Sequence, residues 1–280
     1  MKPLLVAAAL EAGVVKPHTV IDTGPGWFQI GDKRVSDVHA KGVMTVAQAL
    51  QVSSNVAVAK IALEMRGEDY WQLLTRAGLG ATPKSGLPGE VSGRLRPYAT
   101  WRPIEKATMA YGHGLSVSLL QLAHAYTAFA NDGVMPQLTA LRREGQAIGS
   151  RVMTPETAQA VLAMLETVTQ DGGTAPQARV VGYRVAGKTG TAHKLIGGTY
   201  ALDKYISSFV GLAPASDPRL VVAVMVDEPS GRDYYGGLVA APVFSRVMAG
   251  ALRFMAVPPD APFDQYSAPP GAAPVVPEAV

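Results

Sequence analysis

The chain has 280 residues, 48% of them hydrophobic and 17% charged, a composition typical of a folded protein with a sizeable core. The formal net charge is only +3 and the basic residues are scattered, which argues against nucleic acid as a partner. Cysteine is absent, which excludes disulfides, thiolate catalysis and cysteine–zinc sites. The five histidines show no metal-ligand spacing, so we expect no metal site.

The N-terminal stretch predicts a core helix. Its apolar run from Met1 to Leu10 is brief and ends at Glu11 without a clear cleavage site, so it does not resemble a secretory signal. No stretch reaches the roughly 18 uninterrupted apolar residues of a membrane helix. We therefore expect a buried helix over Lys2 to Ala12, ended by Gly13, and no signal or transmembrane segment in this chain. No capping residue precedes this helix, which indicates that the chain continues a longer protein.

The middle of the chain alternates short strands, capped helices and turn-rich loops. Capping patterns mark three helix starts, because a side-chain oxygen there can accept from the free backbone N–H groups of the first turn. The predicted elements are strands around Trp27 to Val35, helices starting at Thr45-x-x-Gln48, Ser118-x-x-Gln121 and Thr154-Pro155, and further helices over Val56 to Met65 and Tyr70 to Ala77. The third capped helix is expected to end at Asp171-Gly172-Gly173.

The C-terminal half predicts a small sheet. Strands are expected over Tyr183 to Thr191, Ile206 to Leu212 and Leu220 to Val226, and their short links favour antiparallel neighbours. Gly237 to Phe254 is predicted as one long helix against that sheet. We expect residues 1–256 to form one α/β (α+β) domain of helices around an antiparallel sheet. Residues 257–280 contain seven prolines and are predicted to be a disordered tail.

The first of these strands ends in a tetrapeptide with binding chemistry, Lys188-Thr189-Gly190-Thr191. Lys188 places a positive charge there, and the two threonines can donate hydrogen bonds to a carboxylate. Gly190 allows a ligand or another backbone to come close, because it has no side chain. Such a peptide is on its own more often a surface turn, so its interpretation as an anion site depends on the rest of the chain.

Other parts of the chain supply that support. Ser53-Ser54-Asn55, the Lys-Thr-Gly run at Lys188 and the opening Lys2-Pro3 resemble the three signatures of penicillin-binding proteins and serine β-lactamases, with Lys2 as the lysine of Ser-x-x-Lys. The runs Tyr111–Val117, Phe209–Pro214, Asp227–Pro229 and Tyr234–Gly237 are similar to those of class B, division-type transpeptidases. This resemblance extends from Met1 to about Phe254. It implies the penicillin-binding protein / serine β-lactamase-like transpeptidase fold, here truncated at its N-terminus.

The resemblance also implies roles for individual residues. A lysine one helical turn after a serine can take its proton if burial and a nearby cation lower the lysine pKa. By resemblance, Lys2 is this base, Lys188 the nearby cation, Ser53 a proton relay to the leaving amine, Asn55 a ligand of the substrate's backbone amide, and Thr189, Gly190 and Thr191 the binding strand for a terminal carboxylate. The amide N–H of Thr191 would be one oxyanion donor. Without the resemblance, Ser53-Ser54-Asn55 is more often a helix cap or kink and Lys2 a solvated lysine, and His113 and His193 are interpreted as non-catalytic.

The chain departs from the family pattern at its start. The serine of Ser-x-x-Lys would stand three residues before Lys2, ahead of Met1, so the chain as given lacks the family's nucleophile. We expect it to begin at an internal methionine of a longer reading frame. The parent protein is expected to be anchored in the inner membrane with a periplasmic catalytic domain, in a membrane-associated division complex.

The implied function is a penicillin-binding D,D-transpeptidase of cell division, which cross-links peptidoglycan by serine acyl transfer on D-Ala-D-Ala stem peptides. This reaction implies no metal or organic cofactor. Three alternatives stay open. One is a catalytically inactive fragment that binds a peptide or β-lactam or acts as an interaction domain. The second is a hydrolase of D,D-carboxypeptidase or β-lactamase type, against which the division-type runs after Phe209 argue. The third is a truncated product without function.

Overall fold

The structure, a computed structural model, describes residues 1–141 and 148–262. The helices are α1 (Lys2–Glu11), α2 (Val46–Gln51), α3 (Asn55–Glu64), α4 (Gly67–Arg76), α5 (Pro103–Met109), α6 (Leu119–Ala130), α7 (Pro155–Thr167), α8 (Gly236–Val239) and α9 (Ala241–Phe254). The strands are β1 (Val20–Asp22), β2 (Trp27–Ile30), β3 (Lys33–Ser36), β4 (Val43–Thr45), β5 (Val134–Pro136), β6 (Gly149–Arg151), β7 (Ala186–Ile196), β8 (Thr199–Ala213) and β9 (Leu220–Asp227).

The predicted α/β fold is confirmed, with its antiparallel sheet in the order β7-β8-β9. In its register Lys188 pairs with Val210 and Gly190 with Ser208. The first hairpin is longer than predicted, because β7 runs on to Ile196 and turns at Gly197 and Gly198, both with positive φ. The periodic apolar pattern that predicted the strand ends at Thr191. The extension was not predicted because it projects beyond the packed helices and has mostly exposed side chains.

Helix α1 lies in the core rather than on the surface. Its residues from Leu4 to Ala9 are at most 1% exposed, and it packs against α7, α3 and α4. This confirms the prediction of a buried helix from its unbroken apolar sequence. Because α1 is covered on all sides, its N-terminal residue Lys2 is held in a fixed position. Among the described residues, no helix is both long and apolar enough to cross a membrane.

Helix α9 packs against strands β8 and β9 of the sheet. Phe244 on α9 packs edge-on against Phe209 of β8, with ring centroids 4.7 Å apart, and both side chains are fully buried. The prediction of one continuous helix from Gly237 to Phe254 was wrong, because α8 ends at Val239 and α9 begins at Ala241. Pro242 explains the interruption, since it has no N–H to donate to the carbonyl of Leu238 one turn earlier.

The predicted capping patterns account for the helix starts. Thr45 and Ser118 each accept from the backbone N–H three residues later, and the glutamines there bond back to the cap residue. Thr154 caps α7 through the first of these two bonds, because its hydroxyl accepts from the backbone N–H of Thr157. Helix α7 ends at Thr167 rather than at the predicted Asp171-Gly172-Gly173, and turns lead on to those glycines.

Residues 257–262, the first part of the predicted disordered tail, are held against the sheet in the structure. The Tyr183 hydroxyl donates to the carbonyl of Val257 at 2.6 Å, and the carboxylate of Asp260 accepts from the backbone N–H of Arg184 at 2.7 Å. Composition alone did not indicate these contacts, because they are made by only a few residues between prolines. The rest of that predicted tail, residues 263–280, lies outside the described residues.

Candidate active site

The centre of the site is a contact between the start of α1 and the link from α2 to α3. Lys2 Nζ lies 2.8 Å from the hydroxyl oxygen of Ser53 and also donates to the Ser53 carbonyl oxygen. Ser53 has a φ of 62°, in the left-handed region that a serine rarely adopts, because the chain turns sharply between the two helices. The fold therefore brings together two residues that the sequence predicted as catalytic.

Lys188 of β7 lies near the contact between Lys2 and Ser53, close enough for the charge of Lys2 to act on it. It is only 5% exposed, and its Nζ donates to the Thr189 hydroxyl at 3.1 Å. Burial lowers the pKa of Lys188 well below its usual value, and the charge of Lys2 lowers it further. Burial likewise lowers the pKa of Lys2 to about 7, against the attraction of Asp37, which raises it. Since two buried amines this close do not both hold a proton easily at neutral pH, one of them can act as a base.

The side chains of Thr189 and Thr191 alternate with Lys188 and Gly190 along β7, and the long side chain of Lys188 nevertheless reaches the Thr189 hydroxyl at 3.1 Å. The Thr189 hydroxyl lies 3.0 Å from that of Thr174, and the Thr191 hydroxyl accepts from the backbone N–H of Gly236 at 3.0 Å. The segment at the start of α8 therefore packs directly beside this strand. These hydroxyls already have partners within the chain, and a bound carboxylate would be an additional acceptor for them.

The structure supplies a packing reason for Gly190. A Cβ at this position would lie 2.4 Å from the hydroxyl oxygen of Ser208, and a Cβ on Gly236 would lie 2.5 Å from the carbonyl oxygen of Gly190. The close approach predicted for Gly190 is thus found within this chain, between neighbouring strands and the start of α8. Contact of Gly190 with a ligand stays a prediction.

This packing gives a stability prediction. Gly236→Ala is expected to destabilise the chain by about 2 kcal/mol or more, because the added methyl meets backbone oxygens of Ser208 and Gly190 that cannot move alone. Gly250→Ala in α9 is the matched control, since no atom lies within 4 Å of its Cβ position. That substitution should stabilise by about 0.5–1 kcal/mol. Urea unfolding of both variants measures the effects, and a loss of stability in both would contradict the argument.

Sequence reasoning missed Asp37, which organises the Ser53-Ser54-Asn55 segment. Its carboxylate accepts from the Ser54 hydroxyl at 2.6 Å and from the backbone N–H groups of Asn55 and Val56. Asp37 therefore completes the cap of α3 from the loop after β3. No local pattern marks it, because the contact spans 17 to 19 residues and the capping position itself is already filled by Ser54.

Asn55 is placed by the same cap. Its side-chain Nδ2 donates to the carbonyl of Ser36 at 3.2 Å, which leaves the side-chain oxygen to accept from a ligand. His113 stacks on the ring of Tyr200 at 5.2 Å, and His193 packs on Tyr205 at 4.7 Å. Their interpretation as non-catalytic stays a prediction. Within residues 1–141 and 148–262, no group of three or more His, Asp or Glu side chains is placed to hold a metal ion.

A family model and two curated relatives that match this chain are all described as transpeptidases. Residues 1–249 match the family described as penicillin binding protein transpeptidase domain. The chain is 44% identical over 260 residues to the probable peptidoglycan D,D-transpeptidase PbpC of Pseudomonas aeruginosa. This alignment covers 93% of this chain and 46% of that protein. The chain is 39% identical over 261 residues to the peptidoglycan D,D-transpeptidase FtsI of Escherichia coli, with 93% and 44% covered.

A solved structure agrees with these relatives. The apo transpeptidase domain of Burkholderia pseudomallei penicillin-binding protein 3 superposes with a TM-score of 0.89 at 48% identity, over 93% of this chain and 80% of that one. The chain thus spans less than half the length of these two curated relatives, and most of the solved domain. It belongs to the penicillin-binding protein transpeptidase domain family, as part of the transpeptidase domain of a class B penicillin-binding protein.

Proposed function

We propose that this chain is the main part of the catalytic domain of a peptidoglycan D,D-transpeptidase that acts in cell division. The observation that carries the proposal is the cluster of Lys2, Ser53 and Lys188 beside the threonines of β7. Its substrates are stem peptides ending in D-Ala-D-Ala, and β-lactams mimic them. The reaction needs no cofactor.

The acylation step uses a serine three residues before Lys2, a position ahead of residue 1. Lys2, with its pKa near 7, takes the proton of that hydroxyl as it attacks the peptide carbonyl. Ser53 then passes a proton from Lys2 to the departing D-Ala amine, since its hydroxyl lies 2.8 Å from Lys2 Nζ. The amine of a neighbouring stem peptide attacks the acyl-enzyme and completes the cross-link.

Substrate binding uses the strand and the capped loop. A terminal carboxylate beside Lys188 favours the charged form of that lysine and offsets the effect of burial on its pKa. Thr189 and Thr191 donate to the same carboxylate, and the backbone N–H of Thr191 is one oxyanion donor. The side-chain oxygen of Asn55 accepts from the substrate's amide N–H. We place the parent protein in the inner membrane with a periplasmic catalytic domain, within a division complex.

The intact mass of the protein purified from its own host, before and after incubation with a penicillin, tests this function. We expect a protein heavier than the 29.3 kDa of this sequence, and we expect its mass to increase by that of one β-lactam. A protein that binds penicillin reversibly without a mass change would support the inactive binding fragment instead. Product analysis with a D-Ala-D-Ala peptide and an acceptor amine separates a transferase from a hydrolase, because a hydrolase releases the free acid rather than the cross-linked product.

A further inference from the structure

The far end of the β7–β8 hairpin, residues 193–204, is joined to the turn after α5 by a ring contact; we call it the hairpin extension. The imidazole of His113, in that turn, stacks on the ring of Tyr200 with centroids 5.2 Å apart. His113 also meets the ring of Tyr111 at 5.4 Å in an edge-to-face arrangement. The imidazole therefore packs against rings from two separate parts of the chain, one of them near the tip of the hairpin.

The hairpin extension has little packing of its own. A bulge between His193 and Leu195 interrupts the register of its two strands. Leu195 is 58% exposed and Leu202 is 86% exposed, so these apolar side chains bury little surface. Because a segment with few buried apolar contacts opens locally at a low cost in free energy, the stacking of Tyr200 contributes a large share of what holds it.

The turn that presents His113 is fixed by its backbone. The N–H of His113 donates to the carbonyl of Thr108 at 3.1 Å. Gly112 and Gly114, on either side, both have positive φ, a conformation that favours glycine. The imidazole is thus anchored on the helical side, and the hairpin extension is the part that can move against it.

We propose that His113 is a positioning residue: its neutral imidazole holds the hairpin extension in place, and protonation releases it. The extension continues the strand that carries Lys188 and Thr191, so its release loosens one wall of the candidate site. That consequence rests on the proposed function, whereas the contact between His113 and Tyr200 does not. His113 takes no part in making or breaking bonds.

Burial and charge determine the direction of this switch. Burial lowers the pKa of His113 below its usual value, and the charge of His193 lowers it further. Since the pKa returns to about 6.5 when the imidazole is released into water, protonation favours the released form. The held form therefore has its full advantage above about pH 6.5 and loses that advantage as the pH falls through the lowered pKa.

The charged groups on the hairpin side are already paired or take up protons themselves. Because a carbonyl oxygen can only accept, Nδ1 of His193 carries the hydrogen of its 2.8 Å bond to Ala201, and His193 takes its second proton at Nε2. Lys194 is paired with Asp227 and Glu228, each at 2.7 Å. A second positive imidazole on this side adds to the repulsion that favours release.

On the helical side, the groups near the imidazole keep their charge state as it titrates. Burial raises the pKa of Tyr111, so it stays neutral. Arg96 lies 3.8 Å from the Cβ position of Gly114 and is paired with Glu105 at 3.1 Å. The face of Tyr200 attracts an imidazolium, which opposes release, so the titration of the imidazole decides between this attraction and burial.

Amide hydrogen exchange of the 280-residue chain at pH 7.5 and pH 5.5, corrected for the intrinsic chemical rate at each pH, tests the release. We expect residues 193–204 to exchange about threefold faster or more at pH 5.5. Residues 206–212, the inner part of β8, serve as the internal reference and should not change. Equal corrected rates for the hairpin extension at the two pH values would overturn the proposal.

Variants separate protonation from stacking. His113→Phe keeps an aromatic ring against Tyr200 but cannot bind a proton, so the pH difference should disappear and exchange should stay slow. His113→Ala removes the ring, and exchange should be fast at both pH values. His39→Gln, which replaces an exposed histidine in the loop after β3, is the control and should keep the pH difference. A pH difference that persists in His113→Phe would contradict the role of this imidazole.

A proton NMR titration of the histidines gives a second readout. The resonance that is missing in His113→Phe identifies His113, and we expect its midpoint below about 6.5. A midpoint at or above that value would mean that Tyr200 holds the imidazolium, and release by acid would then be excluded.

Penicillin acylation of the full-length protein tests the consequence for the site. The rate of His113→Phe relative to that of the unmodified protein should rise about twofold or more between pH 7.5 and pH 5.5. Taking this ratio at each pH cancels the titration of Lys2. A constant ratio would overturn the positioning role. If the full-length protein is not acylated at all, the proposed function fails, while hydrogen exchange still decides whether acid releases the hairpin extension.

Discussion

Replacing Lys188 with alanine is expected to slow the acylation of the full-length protein by penicillin about a hundredfold or more. The substitution removes the cation that is buried beside Thr189 and close to Lys2. The carboxylate of the β-lactam then loses its positive partner, and the Thr189 hydroxyl loses a hydrogen-bond donor. Labelling with a fluorescent penicillin at several times, followed by gel electrophoresis, gives the rate.

Lys204→Ala is the matched control for this prediction. Lys204 is a lysine of the neighbouring strand β8, but its Nζ pairs with Glu228 at 2.9 Å on the exposed part of the hairpin. Its removal changes the net charge by the same amount, and exposed ion pairs contribute little to stability. Equal acylation rates in the two variants would show that net charge, rather than the position of Lys188, determines the rate.

Local features of the fold were predictable because short-range physical chemistry determines them. The capping boxes at Thr45 and Ser118 place helix starts by contacts between residues three apart. The three strands of the sheet followed from their apolar runs and short connections. Pro242 shows the limit of this approach, because an apolar periodicity extends across it even though the backbone hydrogen bonds cannot.

The candidate site could not be predicted from such short-range contacts, because its residues lie far apart in the sequence. The contact between Lys2 and Ser53 joins residues 51 positions apart, and only the resemblance to a known family indicated it. The cause of the lowered Lys2 pKa was predicted in part, since burial was expected together with a nearby cation. In the structure, burial lowers the pKa of Lys2, and burial is also the main cause of the lowered pKa of Lys188, which the charge of Lys2 lowers further. Asp37 could not be found from sequence, because its partners, the Ser54 hydroxyl and two backbone N–H groups, lie 17 to 19 residues further along the chain.

Asp37→Asn is expected to separate the structural and electrostatic roles of this carboxylate. The charged cap at the N-terminus of α3 becomes a neutral amide, so stability should fall by about 1–2 kcal/mol at pH 7. The Ser53-Ser54-Asn55 segment also loses its restraint, and the maximal rate of penicillin acylation in the full-length protein should fall about tenfold. Urea unfolding and the acylation time course measure the two effects.

The pH profile of the same variant distinguishes an electrostatic effect from a purely structural one. Asp37 raises the pKa of Lys2 against the effect of burial, so its removal should lower that pKa below about 7. A larger fraction of Lys2 is then neutral at pH 6, and the midpoint of the acylation rate should move to lower pH even though the maximum falls. Asp32→Asn is the control, because that carboxylate is 84% exposed in the turn between β2 and β3. If the maximum falls while the midpoint stays in place, Asp37 acts only through the cap, and its charge does not influence the base.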